Sequence, residues 1–358
     1  MSEVHICAIA KNEDKYIEDW LIYHFNLGFT QIAIYDNNIP DRKGDLKRQI
    51  KNSKKLTKEM KNKIIIIDAT GKQRYQREAY NDYYNNNEFD WCAFIDIDEF
   101  IVLTDKSGWE NIQDMVNDNL FTNATGIDLC WRTFSDGNIV DVPDDYIYNG
   151  KKCENITNET EREKAAIDWE TKIPVYKRFT KETLIYESYY GKLMVRSRIK
   201  NFEIKIHDSM SDYIVKSADG KFRPNIAKIH TCGKDVYEDT KDIAYIAHYR
   251  TKTIREYLRQ KYLNQSDAYG YSNRTLFIDD YFFKVNEKTA KKIEYYNKHH
   301  KPIILNILTD ENDYDDNKNH NELIYICNQT KTYEKNPFIV DYNFVVQHEN
   351  QIDIFNVI

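Results

Sequence analysis

The segment Phe94-Ile95-Asp96-Ile97-Asp98-Glu99-Phe100 places two carboxylates at the end of an almost wholly apolar run. We interpret Trp91–Ile97 as a central strand covered on both faces. Residues two apart in a strand share a face, so we expect Asp96 and Asp98 to point the same way. Two neighbouring carboxylates repel each other unless a cation lies between them, and oxygen ligands favour Mg²⁺ or Mn²⁺. The segment therefore predicts a divalent-cation site that could hold a diphosphate.

Alternating strands and helices precede this segment. Val4–Ala10, Gln31–Tyr35 and Ile64–Ile67 are apolar, and each ends at a polar cluster. The segments between them have helical spacing or, from Lys43 to Lys63, a basic composition typical of a surface helix; Gln73–Asn85 also predicts a helix. This alternation predicts an α/β fold with a mostly parallel central sheet flanked by helices. Ligands of such sheets bind beyond the carboxyl ends of the strands, so the first hundred residues resemble a nucleotide-binding half.

The rest of the chain divides less clearly. Further strand candidates are Gly126–Trp131, Lys172–Phe179 and Lys192–Ile199, and Asn149–Lys164 reads as an exposed polar loop. From Thr253 onward the spacing of apolar residues is helical. We therefore predict a catalytic domain over residues 1–240 and a mainly helical C-terminal region over residues 241–358. Basic residues between Arg250 and Lys301 either face an anionic acceptor at a membrane surface or form an ordinary solvated helix face.

Composition limits the function classes. Of the 358 residues, 41% are hydrophobic, which is enough for a sizeable core. The net charge of −7 argues against a dedicated nucleic-acid binder, which needs a strong positive field. The six cysteines are scattered without a CxxC pair, so we expect reduced thiols. The sequence shows neither a signal peptide nor an apolar run of membrane-spanning length, and we expect a soluble cytoplasmic protein that at most touches the inner face of a membrane.

Several motifs occur together in a characteristic order. They are Ala10-Lys11-Asn12-Glu13, Tyr16 to Leu21, His24, Leu27-Gly28, Ile34 to Asn37, and Asp90-Trp91 through Phe100, followed more thinly by Trp131 to Phe134, Lys192–Arg196, His207 and His248 to Lys252. This pattern resembles the family 2-like and family 92-like glycosyltransferases, which have a GT-A fold. The resemblance implies a metal-dependent transfer of a sugar from a nucleotide sugar, expected to be a UDP-sugar, to a glycan or lipid-linked acceptor. It also implies a role in surface polysaccharide or glycoconjugate synthesis.

The resemblance assigns roles to particular residues. The implied nucleotide-sugar contacts are Ala10, Asn12, Glu13, Asp36, Gln76 and Asp96, and the implied ligands of Mn²⁺ or Mg²⁺ are Asp96, Asp98 and His207. Alternatives stay open for most of them. Asn12 and Glu13 could cap a helix, Asp36 could form an Asx turn, and Gln76 could be a solvated helix residue. Arg74 and Arg77 are further candidates for phosphate contact, and His230 and His248 for metal binding.

The expected chemistry is an inverting displacement, in which a carboxylate deprotonates the acceptor hydroxyl. We predict Asp136 as this base, because it follows Trp131-Arg132-Thr133-Phe134-Ser135 on the loop after the metal site. The family often carries Phe-Gly-Ser-like residues there, and Asp136-Gly137 also has the composition of a simple turn. Trp131 or Phe134 could pack against a sugar ring or belong to the core.

Two other function classes fit parts of the sequence. Haloacid-dehalogenase-like phosphatases also carry an apolar strand followed by D-x-D, and in that class Asp96 would be the nucleophile. Leu276 to Asp280 resembles their later acidic motif, but their D-x-D strand usually comes first, whereas three strands precede it here. The third class is a binding protein that keeps the fold without catalysis.

Overall fold

The structure is a computed structural model. It describes residues 2–134, 137, 139, 141–182, 190–199, 202–204, 214–223, 233–250, 252, 253 and 256. These residues belong to two compact units. The first contains residues 2–134 with the described residues from 182 to 250, and the second contains the described residues from 137 to 181 with 252, 253 and 256.

The first unit is built around one large sheet. Its strands are β1 (Val4–Ala10), β2 (Gln31–Asp36), β3 (Ile64–Asp68), β4 (Trp91–Phe94), β5 (Glu99–Leu103), β6 (Gly126–Thr133), β9 (Gly191–Arg196), β10 (Val215–Ser217) and β11 (Ala244–His248). The order is β3-β2-β1-β4-β9-β6-β11-β5, and β10 pairs with β6 beside this path. Parallel pairs join β1 to β2 and β4, β2 to β3, and β6 to β10 and β11. The predicted α/β class with a mostly parallel sheet is confirmed.

The parallel strands end level with one another. Ala10 of β1 is opposite Asp36 of β2, and Asp36 is opposite Asp68 of β3. β9 runs antiparallel to both of its neighbours, β4 and β6, so the amino end of β9 lies at the same edge as their carboxyl ends. The edge where ligands bind in such sheets therefore receives Asp36 from β2, Asp68 from β3 and Lys192 from β9.

Helices cover the sheet. In the first unit they are α1 (Asp14–Asn26), α2 (Asp45–Asn52), α3 (Lys58–Asn62), α4 (Gln76–Asn86), α5 (Ile112–Val116) and α8 (Gly233–Thr240). The buried face of α4 includes Ala79, Tyr80 and Tyr83, which share a core cluster with Cys7 of β1 and Phe94 of β4. Because this packing fixes the start of α4 above the end of β4, it determines what the first residue of α4 can reach.

Helix α1 fixes the position of β5. The indole of Trp20 donates a 2.8 Å hydrogen bond to the carbonyl oxygen of Glu99, and the hydroxyl of Tyr23 donates one of 2.9 Å to that of Ile101. Both acceptors belong to the strand that follows the carboxylate pair. α1 ends near Gly28, whose φ of 102° lies in the region that glycine adopts at little cost.

The second unit contains a β7–β8 hairpin (Ile147–Tyr148, Lys151–Lys152) and the helices α6 (Glu159–Lys172) and α7 (Val175–Arg178). The guanidinium of Arg178 donates two 2.8 Å hydrogen bonds to the carboxylate of Glu256, and both side chains are fully buried. The rings of Trp169 and Phe179 lie 4.8 and 5.0 Å from the guanidinium carbon. This buried ion pair is a structural feature of the second unit.

Three local predictions are wrong. Trp91–Ile97 is not one strand, since β4 ends at Phe94. Lys172–Phe179 is not a strand, since it holds the end of α6 and all of α7. Asn149–Lys164 is not a loop throughout, since β8 and the first part of α6 lie within it.

Three other expectations concern the cysteines, membrane spans and the C-terminal region. Cys7, Cys92 and Cys153 are free thiols, but Cys130 is disulfide-bonded, so the expectation that every cysteine is reduced is wrong at Cys130. No helix in the part of the chain that the structure describes has both the length and the apolar character that a membrane span requires. Nearly all of the expected C-terminal helical region lies outside the described residues and stays a prediction.

Candidate active site

Residues 95–98 connect two strands that are not neighbours in the sheet. β4 ends at Phe94 and β5 begins at Glu99, and β9, β6 and β11 lie between those two strands. The segment is held as a turn, because the amide of Glu99 donates to the carbonyl of Asp96 at 3.1 Å. The amide of Asp96 in turn donates to Oε2 of Glu99 at 2.8 Å. The D-x-D residues therefore lie in a connection rather than in a strand, and the strand geometry expected for them, in which residues two apart share a face, does not apply.

Among the described residues, three donors hold the carboxylate of Asp96. Its Oδ1 accepts hydrogen bonds from Nε2 of Gln76 at 2.5 Å and from the hydroxyl of Tyr80 at 3.2 Å. Its Oδ2 accepts one from Nζ of Lys192 at 2.9 Å. The side chain is 32% exposed, so it faces solvent from a fixed orientation. A fixed, accessible carboxylate at this edge can accept hydrogen bonds from a ligand hydroxyl or contact a bound cation.

Lys192 and Glu99 lie beneath Asp96, and both side chains are fully buried. The ammonium of Lys192 lies 3.8 Å from Oε1 of Glu99, an atom with no hydrogen-bond partner among the described residues. Burial raises the pKa of Glu99 well above its usual range, and the Lys192 charge opposes that shift. Burial alone would lower the pKa of Lys192, but the charges of Asp96 and Glu99 outweigh it and raise the pKa.

Asp98 lies beside His248, the last residue of β11. Both residues are buried, and Oδ1 of Asp98 is 3.8 Å from Nε2 of His248. Strand pairing produces this proximity, because His248 is opposite Glu99 in the β5–β11 register and the amide of Tyr249 donates to the Asp98 carbonyl at 2.9 Å. The His248 ring also packs on Trp131, with centroids 4.3 Å apart. His248, one of the histidines considered from the sequence as a metal ligand, therefore lies at the carboxylate pair.

The residues predicted to hold the nucleoside meet at the ends of β1 and β2. Ala10 and Asp36 are opposite each other and buried. Oδ1 of Asp36 accepts a 3.2 Å hydrogen bond from the amide of Asn38, which is the Asx turn that the sequence left open. Burial raises the pKa of Asp36. A second arrangement, next to this turn, links Asn38 to the start of α1.

Asn12 and Arg42 form that second arrangement. The amide of Asn12 donates to Oδ1 of Asn38 at 2.7 Å, and Oδ1 of Asn12 accepts from Nη1 of Arg42 at 2.7 Å. Asn12 has a positive φ of 55°, which few non-glycine residues adopt. Glu13 is at the N-cap position of α1 but makes no capping hydrogen bond through its side chain. The sequence did not single out Arg42, because its contact with Asn12 depends on a turn 30 residues away.

Other predicted residues have different positions. Gln76 is buried at the first position of α4 and contacts Asp96, so it is not a solvated helix residue. Arg77 forms an exposed ion pair with Glu203. Trp131 and Phe134 are buried, consistent with the core role that the sequence left open. The predicted base Asp136 and the histidines His207 and His230 lie outside the described residues.

The described residues contain no group of three or more His, Cys, Asp or Glu side chains arranged to hold a metal ion. Asp98 and His248 are a pair rather than a complete set of protein ligands. Any cation here would need further ligands from solvent, from a bound ligand or from other parts of the chain. The roles of Asp96, Asp98 and His207 as metal ligands therefore stay predictions.

Comparison with known proteins gives two curated relatives. No family model matches the chain. A family 92 glycosyltransferase protein of Ricinus communis is 26% identical over 153 residues, which are 42% of this chain and 26% of that protein. One of Oryza sativa subsp. japonica is 25% identical over 111 residues, which are 31% of this chain and 18% of that protein. The matches span about a quarter or less of the relatives' length. The chain is thus similar over part of its length to family 92 glycosyltransferase proteins, which confirms the resemblance found in the sequence.

Solved structures give a more distant likeness. The crystal structure of S. aureus TarS 1–349 has 11% sequence identity and a TM-score of 0.32, and the match covers 98% of this chain and 91% of that one. The same fragment in complex with UDP-GlcNAc has 9% identity and a TM-score of 0.28, with 98% and 92% covered. TM-scores this low do not establish a shared fold, so the similarity to glycosyltransferases depends on the two sequence relatives.

Proposed function

We propose that this protein is a glycosyltransferase that moves a sugar from a nucleotide sugar to an acceptor hydroxyl. The observation that carries the proposal is the part-exposed carboxylate of Asp96, held by Gln76, Tyr80 and Lys192 beside the buried pair of Asp98 and His248. The relation to family 92 glycosyltransferases supports it. The proposed donor is a UDP-sugar, and the proposed acceptor is a glycan or lipid-linked sugar. A surface polysaccharide or glycoconjugate pathway and a cytoplasmic location stay predictions.

The donor would lie along the carboxyl edge of the sheet. The nucleoside would contact the ends of β1 and β2, where Ala10, Asn12 and Asp36 meet. Its diphosphate would extend towards Asp96, which lies two residues after the end of the neighbouring strand β4. This direction follows from the parallel order of β2, β1 and β4, since their carboxyl ends lie side by side. The predicted donor contacts Ala10, Asp36 and Gln76 all lie at or next to this carboxyl edge.

A divalent cation fits the chemistry of the carboxylate pair. Carboxylate oxygen suits Mg²⁺ and Mn²⁺, and imidazole is the commonest metal-binding side chain. Asp98 and His248 supply one of each from buried positions. Mg²⁺ is often bound by one or two carboxylates and the substrate's phosphates rather than by a complete protein cage. When bound, such a cation neutralises charge on the leaving diphosphate. We therefore propose Asp98 and His248 as ligands, and Asp96 and His207 stay predicted ones.

The proposed reaction is an inverting displacement at the anomeric carbon. The acceptor oxygen forms a bond to that carbon as the bond to the diphosphate breaks, and the acceptor proton passes to a carboxylate. Asp136 stays the predicted base for this step, and general-base help of this kind contributes about 10²–10⁴-fold. The described residues contribute by fixing the donor: Gln76, Tyr80 and Lys192 keep Asp96 in one orientation before the ligand arrives.

Thermal denaturation with UDP, with and without Mn²⁺, tests the proposal. We expect UDP to stabilise the wild type only with Mn²⁺, by about 2.7 kcal/mol at a hundred times its dissociation constant. Asp98→Asn should abolish this stabilisation. Asp105→Asn, the same change at an exposed position after β5, should keep it.

Stabilisation that survives in Asp98→Asn would show that the metal assignment is wrong. If no nucleotide stabilises the wild type, with Mn²⁺ or with Mg²⁺, the transferase proposal itself is contradicted. Turnover of p-nitrophenyl phosphate that depends on Asp96 would support the phosphatase instead. Nucleotide binding without transfer or hydrolysis of any donor would support the non-catalytic protein.

A further inference from the structure

Lys192 is a buried cation that the sheet delivers to the carboxylate pair. It is the second residue of β9, and β9 runs antiparallel to β4 and β6. The amino end of β9 therefore lies where β4 and β6 end, next to the connection that contains Asp96 and Asp98. The side chain is fully buried, and its ammonium lies 6.0 Å from the centre of the Trp131 ring. A lysine held this deeply is retained at a cost of desolvation, which its ionic partners must offset.

The partners of Lys192 are the carboxylates that the site uses. Its Nζ is 2.9 Å from Oδ2 of Asp96 and 3.8 Å from Oε1 of Glu99. Asp98 belongs to the same short connection. Lys192 brings a positive charge to these carboxylates, and Asp96 is the one that it holds most closely. The ammonium is thus already in contact with the carboxylate that a divalent cation would otherwise share with Asp98.

We propose that Lys192 is a positioning residue whose ammonium orients Asp96 for the donor and competes with a divalent cation for that carboxylate. This inference rests on the proposed nucleotide-sugar site. As a consequence, the affinity for the cation depends on the donor. The cation alone binds weakly, and it binds more tightly when the donor diphosphate adds negative charge. Asp96 then serves the donor, and Asp98 with His248 serves the cation.

Removal of the ammonium should therefore change two affinities in opposite directions. Without Lys192, Asp96 is released to the cation and loses its positively charged neighbour, so Mn²⁺ alone should bind more tightly. The donor loses both a positive charge and the fixed orientation of Asp96, so UDP should bind less tightly. General damage to the fold cannot produce this result, because damage weakens both ligands together.

Isothermal titration of the full chain with Mn²⁺ alone, and with UDP at saturating Mn²⁺, tests the proposal. For Lys192→Met we expect Mn²⁺ to bind at least about tenfold more tightly and UDP at least about tenfold less tightly, each factor corresponding to about 1.4 kcal/mol. Lys192→Arg keeps the charge but not the shape, so UDP should weaken while Mn²⁺ alone stays within about twofold. Arg196→Met is the matched control, since Arg196 lies on the same strand and contacts Trp91 away from the site.

The outcomes separate this inference from the proposed function. Unchanged Mn²⁺ and UDP affinities in Lys192→Met, or a loss of both that Arg196→Met reproduces, would overturn the role of Lys192 and leave the donor site standing. A wild type that binds no UDP would overturn both. If Lys192→Met does not fold, Lys192→Arg decides: weaker UDP with unchanged Mn²⁺ supports the proposal, and unchanged UDP overturns it.

Discussion

Acid should destabilise the first unit through His24, a fully buried histidine of α1. Its Nδ1 lies 2.9 Å from the carbonyl oxygen of Trp20, and its Nε2 lies 3.4 Å from the amide nitrogen of Ile101. A carbonyl only accepts and an amide only donates, so Nδ1 carries the proton and Nε2 is the acceptor. Burial lowers the pKa of His24 to about 3, although its hydrogen bond to the Trp20 carbonyl opposes the shift. A proton on Nε2 would also break the contact with Ile101.

The sign and size of the effect follow from this pKa. In the unfolded chain a histidine titrates near 6.5, so between that pH and about 3 the unfolded state binds a proton that the folded state does not. The stability that neutral His24 contributes is complete above the unfolded pKa and is lost as the pH falls towards the folded one. The loss approaches about 1.4 kcal/mol per pH unit, or roughly 2–3 kcal/mol at about pH 4.5. A typical domain has only about 5–15 kcal/mol to lose.

Urea unfolding of the wild type and His24→Phe, between about pH 7 and about pH 4.5, measures this loss. Phenylalanine keeps an aromatic ring among Phe29 and Phe100 but cannot titrate. We expect the variant to be less stable at neutral pH and its stability to fall less steeply with acid. The difference between the two slopes isolates His24, because the other titrating groups are common to both proteins. Parallel slopes would refute the reasoning.

Three further predictions concern the ion pair, the donor site and the base. Arg178→Met should cost about 3–5 kcal/mol in urea unfolding, because it leaves the buried carboxylate of Glu256 without its partner; adding Glu256→Gln should recover most of that, and a single-variant cost within error of zero would contradict the account. Gln76→Leu removes a hydrogen bond to the Asp96 carboxylate, a contact worth about 1.5–3 kcal/mol, so UDP affinity measured by titration with Mn²⁺ should fall roughly tenfold or more; unchanged affinity would show that Gln76 does not orient Asp96 for the donor. Asp136→Asn should lower sugar transfer by about 10²–10⁴-fold with UDP affinity unchanged, and full turnover would exclude Asp136 as the base.

Local sequence pattern was enough for β1, β2 and β3 and for the presence of a fourth strand before Asp96. Each of these strands is a short apolar run with a polar end, and β1, β2 and β3 occur where the pattern places them. The edge position of Asp36 and Asp96 followed from the same pattern, since parallel strands end together. The predicted strand before Asp96 is longer than β4 because Ile95 and Ile97 are apolar and buried, as strand residues would be. They lie in the connection after β4 instead.

Long-range pairing determined the rest of the site. Lys192 and His248 reach the carboxylates only because β9 and β11 enter the sheet between β4 and β5, and nothing near Asp96 in the sequence reports that. The helix α6 was missed although Asn158 caps it through its side chain, which is a signal the sequence contains. Lys172–Phe179 has strand-like residues, but Pro174 begins a new helix there instead.

Release of nucleoside diphosphate from a panel of nucleotide sugars, with Mn²⁺ present and an acceptor mixture supplied, tests the central claim most directly. The account predicts that the wild type releases UDP from at least one UDP-sugar, that Asp98→Asn falls to background, and that Asp105→Asn matches the wild type. Release at the same rate by Asp98→Asn, or no release from any donor by a wild type that is folded, would contradict it.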